Sequence, residues 1–519
     1  MSPTTGAIAS PHSLATRAGE EAFRAGGNAL DAALATATAL TVVYPHNTAL
    51  GGDLVALVRT PGGTITCVNA TGTAPAARDL AELRARHGDR LPERGPDTIT
   101  VPGAVRGWEA IRRHGAALDW AAQFSAAIGY AADGVPVARS LAAAFVTDRA
   151  LLEADAGSRA VFAPGGEFVR ERLTQPRLAE SLRAIAAGGP GEFYEGAVGA
   201  ALARGSQALG CPLTTLDLAA YRVRETAALS APLGGFRVHT SPPNTQGFAL
   251  LRTVRALTGL GYAAAPWTTP AAVLGRLFHD GTRVRDTLLA DPDFATTDVE
   301  NDGFAGLLAS LREPRGAATV AAPAIPRGDT VGVAAADSSG FAVSIIQSVF
   351  DSFGAGVLEP ETGIILQNRG SSFSLDPGSP NVIAPGKRPK HTLMPVLVTA
   401  GDGRVRWVNS TMGGHGQPQI HAQVLLRLLA GDSPHDAVSA PRWVVGARAG
   451  GQASDTVHHE ADLSPAVVAS LAADDFPLCE VPPRTEFLGH TNVVSIDAEG
   501  VFTAGSDPRS DGSAAVVRR

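Results

Sequence analysis

Leu14, Ala18, Ala22 and Phe23 share one face of a 3.6-residue period, which predicts a helix from Ser13 to Gly26. Ser13 is its expected N-cap, and Gly26-Gly27 its stop. Asn28 then caps a second helix that runs to about Val43 and is apolar all round, the mark of a buried helix. The pattern changes to strands at Leu54–Thr60 and Thr64–Val68, joined through Pro61-Gly62-Gly63. From about Gly107 to Tyr262 helical spacing dominates, broken at Gly188-Gly189-Pro190 and Ser241-Pro242-Pro243. Residues 313–329 hold three prolines without any period and read as an exposed linker. Directly after it, Thr330–Ala336 and Ala342–Val349 form a hairpin about Asp337-Ser338-Ser339-Gly340. Further strands are expected near Met394–Thr399 and Arg404–Asn409, and a helix over Gln417–Leu429. No internal repeat is visible.

Composition narrows the class. The 519 residues are 45% hydrophobic and 18% charged, which supports a large buried core and excludes disordered and fibrous chains. The net charge of −7 argues against nucleic acid as a partner, since a phosphate backbone needs a basic face. Lysine occurs only at Lys387 and Lys390; both read as solvated, although two cations beside a site would favour an anionic substrate. Cys67, Cys211 and Cys479 are far apart and odd in number, so they read as buried packing residues, without disulfide framework or metal spacing. The first residues show no signal peptide, and Ala29–Tyr44 is too short for a membrane span, which predicts a cytoplasmic protein without a membrane partner. No phosphate loop, dinucleotide fingerprint or metal cluster is present, so neither cofactor nor metal is expected.

Gly328-Asp329-Thr330 is the most informative junction. A Thr hydroxyl alone is a poor nucleophile. If the Asp329–Thr330 bond were cut, the new α-amine of Thr330 would supply a base beside it. By spacing alone this is a weak signal, since a Thr opening a strand is ordinary.

The wider set of motifs resembles the gamma-glutamyltranspeptidase family of N-terminal-nucleophile hydrolases. It spans nearly the whole chain: Gly26-Gly27-Asn28-Ala29-Leu30-Asp31, Tyr44-Pro45-His46, Gly51-Gly52-Asp53, Val101-Pro102-Gly103 and Pro242-Pro243-Asn244-Thr245-Gln246-Gly247. Gly328-Asp329-Thr330, Pro385-Gly386-Lys387-Arg388-Pro389, Met412-Gly413-Gly414, Ala440-Pro441-Arg442 and Asp507-Pro508-Arg509 follow in family order. The resemblance implies an α/β fold, a four-layer αββα sandwich. It also implies a proenzyme that cuts itself into 1–329 and 330–519, which together make one domain and leave room for a homodimer. Thr330 would form an acyl-enzyme with a small-molecule amide. Ser348, eighteen residues on, would orient it, and the backbone N–H groups of Gly413 and Gly414 would form the oxyanion hole. A plain turn before the 417–429 helix is the other reading of those glycines.

The departures bear on substrate. Members that take gamma-glutamyl compounds grip the α-carboxylate with an Arg in Arg-Glu-x-Ala-Pro; here Thr71 stands at that Arg position. The positions that hold the α-amine are Phe350, Arg369 and Ser372, and a carboxylate-binding serine pair is replaced by His391-Thr392. Gln367-Asn368-Arg369-Gly370 and the 385–392 segment look like the amidohydrolase and acylase branch, which includes oxamate amidohydrolase and cephalosporin acylases. Arg369 is therefore the candidate for a substrate carboxylate or carbonyl; a structural Arg paired with a buried acid is the alternative. Asn368, Thr392, Ser372, Phe350 and Thr71 complete the expected substrate wall. His391 is read as a positioning residue, with a proton shuttle as the other role. His415 reads as a loop residue, His458-His459 as surface, and His46 has no role that the sequence supplies. Hydrolysis of a small anionic amide is the first expectation. A true gamma-glutamyltransferase or glutathione hydrolase, a carbon–carbon bond hydrolase of the same fold, and an unprocessed non-enzymatic homologue are the rivals.

Overall fold

In the computed structural model, residues 5–313, 329–447 and 451–519 are described. Two sheets stand face to face. Their strands are β1 (Thr5–Ser10), β2 (Asp53–Arg59), β3 (Ile65–Ala70), β4 (Arg224–Ala227), β5 (Leu229–Leu233), β6 (Phe236–Thr240) and β7 (Asp329–Asp337). β8 (Ala342–Phe350), β9 (Val396–Ala400), β10 (Val405–Met412), β11 (His490–Ile496), β12 (Phe502–Ser506) and β13 (Ser513–Arg518) follow. The first sheet has the order β13-β1-β7-β8-β2-β3-β4 and the second β12-β11-β10-β9-β6-β5. The helices that matter for the site's frame are α1 (Ser13–Arg24), α2 (Ala29–Val43), α3 (Ala104–Arg113), α4 (Gly247–Gly259), α5 (Ala271–Leu288) and α6 (Gln417–Ala430).

The period-2 alternation of each strand builds the layers. Along β7, Val331, Val333 and Ala335 pack outward with residues of α1 and α2, while Ala334 and Ala336 pack inward against the second sheet. β2 divides the same way, Leu54, Ala56 and Val58 outward and Val55 and Leu57 inward. In the second sheet Val396 and Val398 join Leu250, Leu277 and Ile420 of α4, α5 and α6, whereas Leu397 faces the sheet interface. The result is helix, sheet, sheet, helix, the expected αββα sandwich.

The local chemistry explains α2. Asn28 and Asp31 form a reciprocal capping box. The carboxylate of Asp31 also accepts from the backbone of Ala117 and Leu118 and from Gln123, so a buried acid is fully engaged. α2 is tied to the hairpin, because Ala29 N–H donates to Asp337 at 2.7 Å.

Several expectations change. His12, not Ser13, caps α1, since its Nδ1 accepts from Leu14 N–H. The region read as helical to Tyr262 contains β4, β5 and β6, whose short runs next to prolines and polar residues hide their alternation. β10 extends to Met412, past the predicted Asn409. β7 begins at Asp329, so the predicted cleavage junction lies inside a strand. The predicted linker lies outside the described residues over 314–328. His458 and His459 are buried in a strand of a small third sheet, not exposed. Lys387 is buried and donates to Pro380 O at 2.7 Å; Lys390 is partly exposed beside Asp286. Cys67 and Cys211 are buried, but Cys479 is only half-buried.

Candidate active site

β7 and β8 pair regularly as far as Val331 opposite Gln347, and then Asp329 lies opposite Phe350. One extra residue on β8 makes a bulge at Ser348-Val349. A bulge re-aims a side chain and bends its strand. Here it turns the Ser348 hydroxyl onto the Asp329–Thr330 junction and leaves Phe350 at φ +83°. Thr330 Oγ1 donates to Ser348 Oγ at 3.1 Å. Ser348 Oγ donates to the Asp329 carbonyl oxygen at 2.5 Å and accepts from Phe350 N–H at 2.7 Å. Asn47 Nδ2 donates to the Thr330 carbonyl at 3.3 Å. One hydroxyl thus touches both the nucleophile candidate and the carbonyl of the Asp329–Thr330 bond.

The second sheet approaches from behind. A Cβ on Gly332 would lie 2.7 Å from the carbonyl carbon of Ser410, so only glycine lets β10 come this close to β7. Asn492 Nδ2 of β11 donates to Gly332 O. β10 ends in Met412, and Gly413-Gly414 follow at φ +154° and +53°. Gln246 Nε2 donates to the carbonyls of Thr392 and Gly414, which holds those two loops together.

Two chambers flank this junction. The larger, about 490 Å³, is walled by Phe350, Asp351, Ser372, Asn381, Lys390 and His415. The other, about 430 Å³, is walled by Asn47, Arg94, Asp148, Asp329, Met412 and Glu486. Asp329 faces one chamber and Phe350 the other; Met412 and His415, on either side of the glycine pair, divide in the same way. Thr330, Gly413 and Gly414 line neither chamber themselves; their chain neighbours Asp329, Met412 and His415 do.

Arg369 is fully buried under Phe350, its guanidinium carbon 3.6 Å from the ring centroid. Nη2 donates to Thr392 Oγ1 at 2.9 Å and Nη1 to Ser372 Oγ at 3.3 Å, while Nε has no partner. Among the described residues no carboxylate lies within ion-pair distance, so the structural pairing considered for this Arg is not what the fold supplies. Burial lowers its pKa to about 9, partly offset by Asp53 and Asp351.

Asp53, the first residue of β2, accepts from Gly72 N–H at 2.7 Å, Gln367 Nε2 at 2.8 Å and His391 Nε2 at 2.9 Å. His391 Nδ1 accepts from Leu393 N–H, which fixes the proton on Nε2. Burial, reinforced by Arg369, keeps that imidazole neutral by holding its pKa well below the usual range. Such a ring orients a loop and has no free nitrogen for a proton shuttle. Burial also raises the Asp53 carboxyl to about 7, against the pull of Gln367, Arg369 and Gly72.

Two predicted wall residues are spent on the frame. Asn368 bonds Asp351 through both ends of its amide and donates to Glu93 O. Thr71 bonds Asn69 and accepts from Asn244. Asp53 and Gln246 stand in motifs that give them no role, and Asn47 directly follows one. An acid opening the apolar run Asp53-Leu54-Val55-Ala56 was the available signal. Among the described residues no group of three potential metal ligands gathers, and no helix is long and apolar enough to cross a membrane.

Two facing sheets between helix layers, with a central strand opening on Asp329-Thr330, define an enzyme of the N-terminal-nucleophile hydrolase class. Residues 15–517 match the gamma-glutamyltranspeptidase family model, and the chain belongs to that family. It is 38% identical to the oxamate amidohydrolase proenzyme of Klebsiella pneumoniae, over 99% of this chain and 98% of that one. It is 34% identical to the glutathione hydrolase-like YwrD proenzyme of Bacillus subtilis, over 98% and 97%. Cephalosporin acylase from Bacillus halodurans superposes with a TM-score of 0.87 at 31% identity, covering 99% of this chain and 96% of that one.

Proposed function

We propose that the chain is a self-processing amidohydrolase whose nucleophile is Thr330 and whose substrate is a small amide with an anionic acyl part. The observation that carries this is the Ser348 hydroxyl, held between Thr330 Oγ1 and the Asp329 carbonyl oxygen. In processing, Thr330 Oγ1 attacks the Asp329 carbonyl carbon while Ser348 donates to the oxygen that becomes negative. The Asp329–Thr330 C–N bond breaks, the amine takes up the hydroxyl proton, and water hydrolyses the resulting ester. Fragments 1–329 and 330–519 result. The freed amine of Thr330 then serves as base for the same hydroxyl on an external amide. Water releases the acyl group, or an amine accepts it. Gly413 and Gly414, at the end of β10, are the proposed oxyanion donors.

Arg369 supports an anionic acyl part. It is buried, held by Thr392 and Ser372, has an unpartnered Nε–H, and lacks a carboxylate partner. A substrate carboxylate could take that place in the guanidinium plane. Oxamate is accordingly the first substrate to try, as the name of the Klebsiella relative also suggests. The decisive experiment incubates the purified protein, separates it under denaturing conditions and sequences any new N-terminus. A fragment beginning at Thr330, absent in Thr330→Ala, is expected together with release of ammonia from oxamate by the wild type only. An uncut but active Thr330→Ala protein overturns the assignment.

A further inference from the structure

We infer that Phe350 is a specificity-determining residue that keeps Arg369 covered until the Asp329–Thr330 bond is cut. The inference rests on the reading of Arg369 as the anion-binding group. Its own basis is a chain of contacts from the scissile carbonyl to the guanidinium. Phe350 is a wall of the larger chamber; Arg369, 1% exposed and directly beneath the ring, is not. The guanidinium is complete in every other respect, with two hydroxyl partners and Nε–H left open. The aromatic ring is thus what separates a preformed anion site from the space in which a substrate would lie.

The ring is held there by the uncut chain. A non-glycine residue at φ +83° occupies a sparsely populated region and persists only where its neighbours impose it. Two neighbours do so. Phe350 pairs with Asp329 at the end of the β7–β8 ladder, and its N–H donates to Ser348 Oγ, which in turn donates to the Asp329 carbonyl. Cleavage turns that carbonyl into part of a chain-terminal carboxylate and frees Asp329 from Thr330. The ladder loses its last pair, and Ser348 loses a covalently fixed acceptor. Phe350 can then relax to a negative φ, which moves its ring and opens the face and Nε edge of Arg369 to the chamber. An apolar ring at this position offers a substrate ammonium no acceptor, so the opened site selects a carboxylate without an adjacent ammonium.

Malonate, a dicarboxylate with no bond to cleave, tests this by calorimetric titration. The processed wild type, uncut Thr330→Ala, and uncut Thr330→Ala with Phe350→Ala or Phe350→Leu are compared. Covering reduces apparent affinity by the fraction of time the site is open, so the uncut protein should bind at least about tenfold more weakly than the processed one. Removing the ring should restore most of that loss without cleavage; Phe350→Leu, smaller than the ring but less disruptive to packing, should restore part of it should Phe350→Ala fail to fold. Binding by the processed protein should disappear in Arg369→Ala. Equal binding by cut and uncut protein, lost in Arg369→Ala, overturns the inference and leaves the reading of Arg369 standing. No binding by the processed wild type overturns both.

Discussion

Ser348 shows how much depends on one hydroxyl. It accepts from two donors and has one proton to give, and that proton goes to the Asp329 carbonyl. Ser348→Ala should slow processing by about 10²-fold, the usual effect of removing one donor to a developing oxyanion. Ser348→Thr, which retains the hydroxyl, should process at a rate close to the wild type; the band pattern on a denaturing gel over time reads both. Asp53 gives a pH signature. With its pKa raised to about 7 by burial, the folded protein keeps a proton that the unfolded chain, near its ordinary ~3.9, has already lost. That contribution to stability is present at low pH and is lost as pH rises toward 7. Asp53→Asn cannot titrate and faces the His391 Nε2–H with an amide. Its deficit in melting temperature should therefore be larger at pH 5 than at pH 8. A deficit that grows with pH would contradict the protonated form of Asp53.

At the level of elements, β7 and β10 cross at Gly332, where a Cβ would also lie 2.8 Å from Thr411 N. Backbone cannot yield as a flexible side chain does. Gly332→Ala should cost about 1–3 kcal/mol, the range for overpacking a core, and should lower turnover because β7 carries Thr330. Urea unfolding with a reduced midpoint and unchanged slope is the expected record. The elements themselves were readable where the period was unbroken, as in α2 with its cap, β2, β7, β8 and α6. β4, β5 and β6 were not, because short strands, one containing Pro232 and one followed closely by Pro242, present too few alternations to stand out from the helical spacing around them. The bulge at Ser348-Val349 was invisible for another reason. Register belongs to a pair of strands, and Val349 is as acceptable in a regular strand as in a bulged one.

At the scale of the molecule, the two proposed fragments are inseparable by construction. β7 and β8, from the region after the cleavage point, sit between β1 and β2 from the region before it; β13 pairs with β1 as well. In the second sheet β9 pairs with β6. Pulling the fragments apart would open both sheets and expose paired backbone edges together with apolar faces. After processing, 1–329 and 330–519 should co-elute by size exclusion in native buffer and part only in denaturant. Within the 330–519 region, buried Arg442 and Arg509 share Asp507, while Arg509 also pairs with Glu460. Both arginines stood in motifs legible in the chain, but their partners came from the folded structure.

The sequence alone pointed to the family through an ordered succession of motifs, to the αββα architecture through that resemblance, and to the Asp329-Thr330 junction through a Thr at the head of a strand. It also singled out Arg369 by chain position. Tertiary structure decided what those residues can do. Asp53 meets His391 and Arg369 meets Phe350 across long stretches of chain, and burial then sets their charge states. Contact, desolvation and strand register depend on three-dimensional neighbours, which no one-dimensional pattern contains.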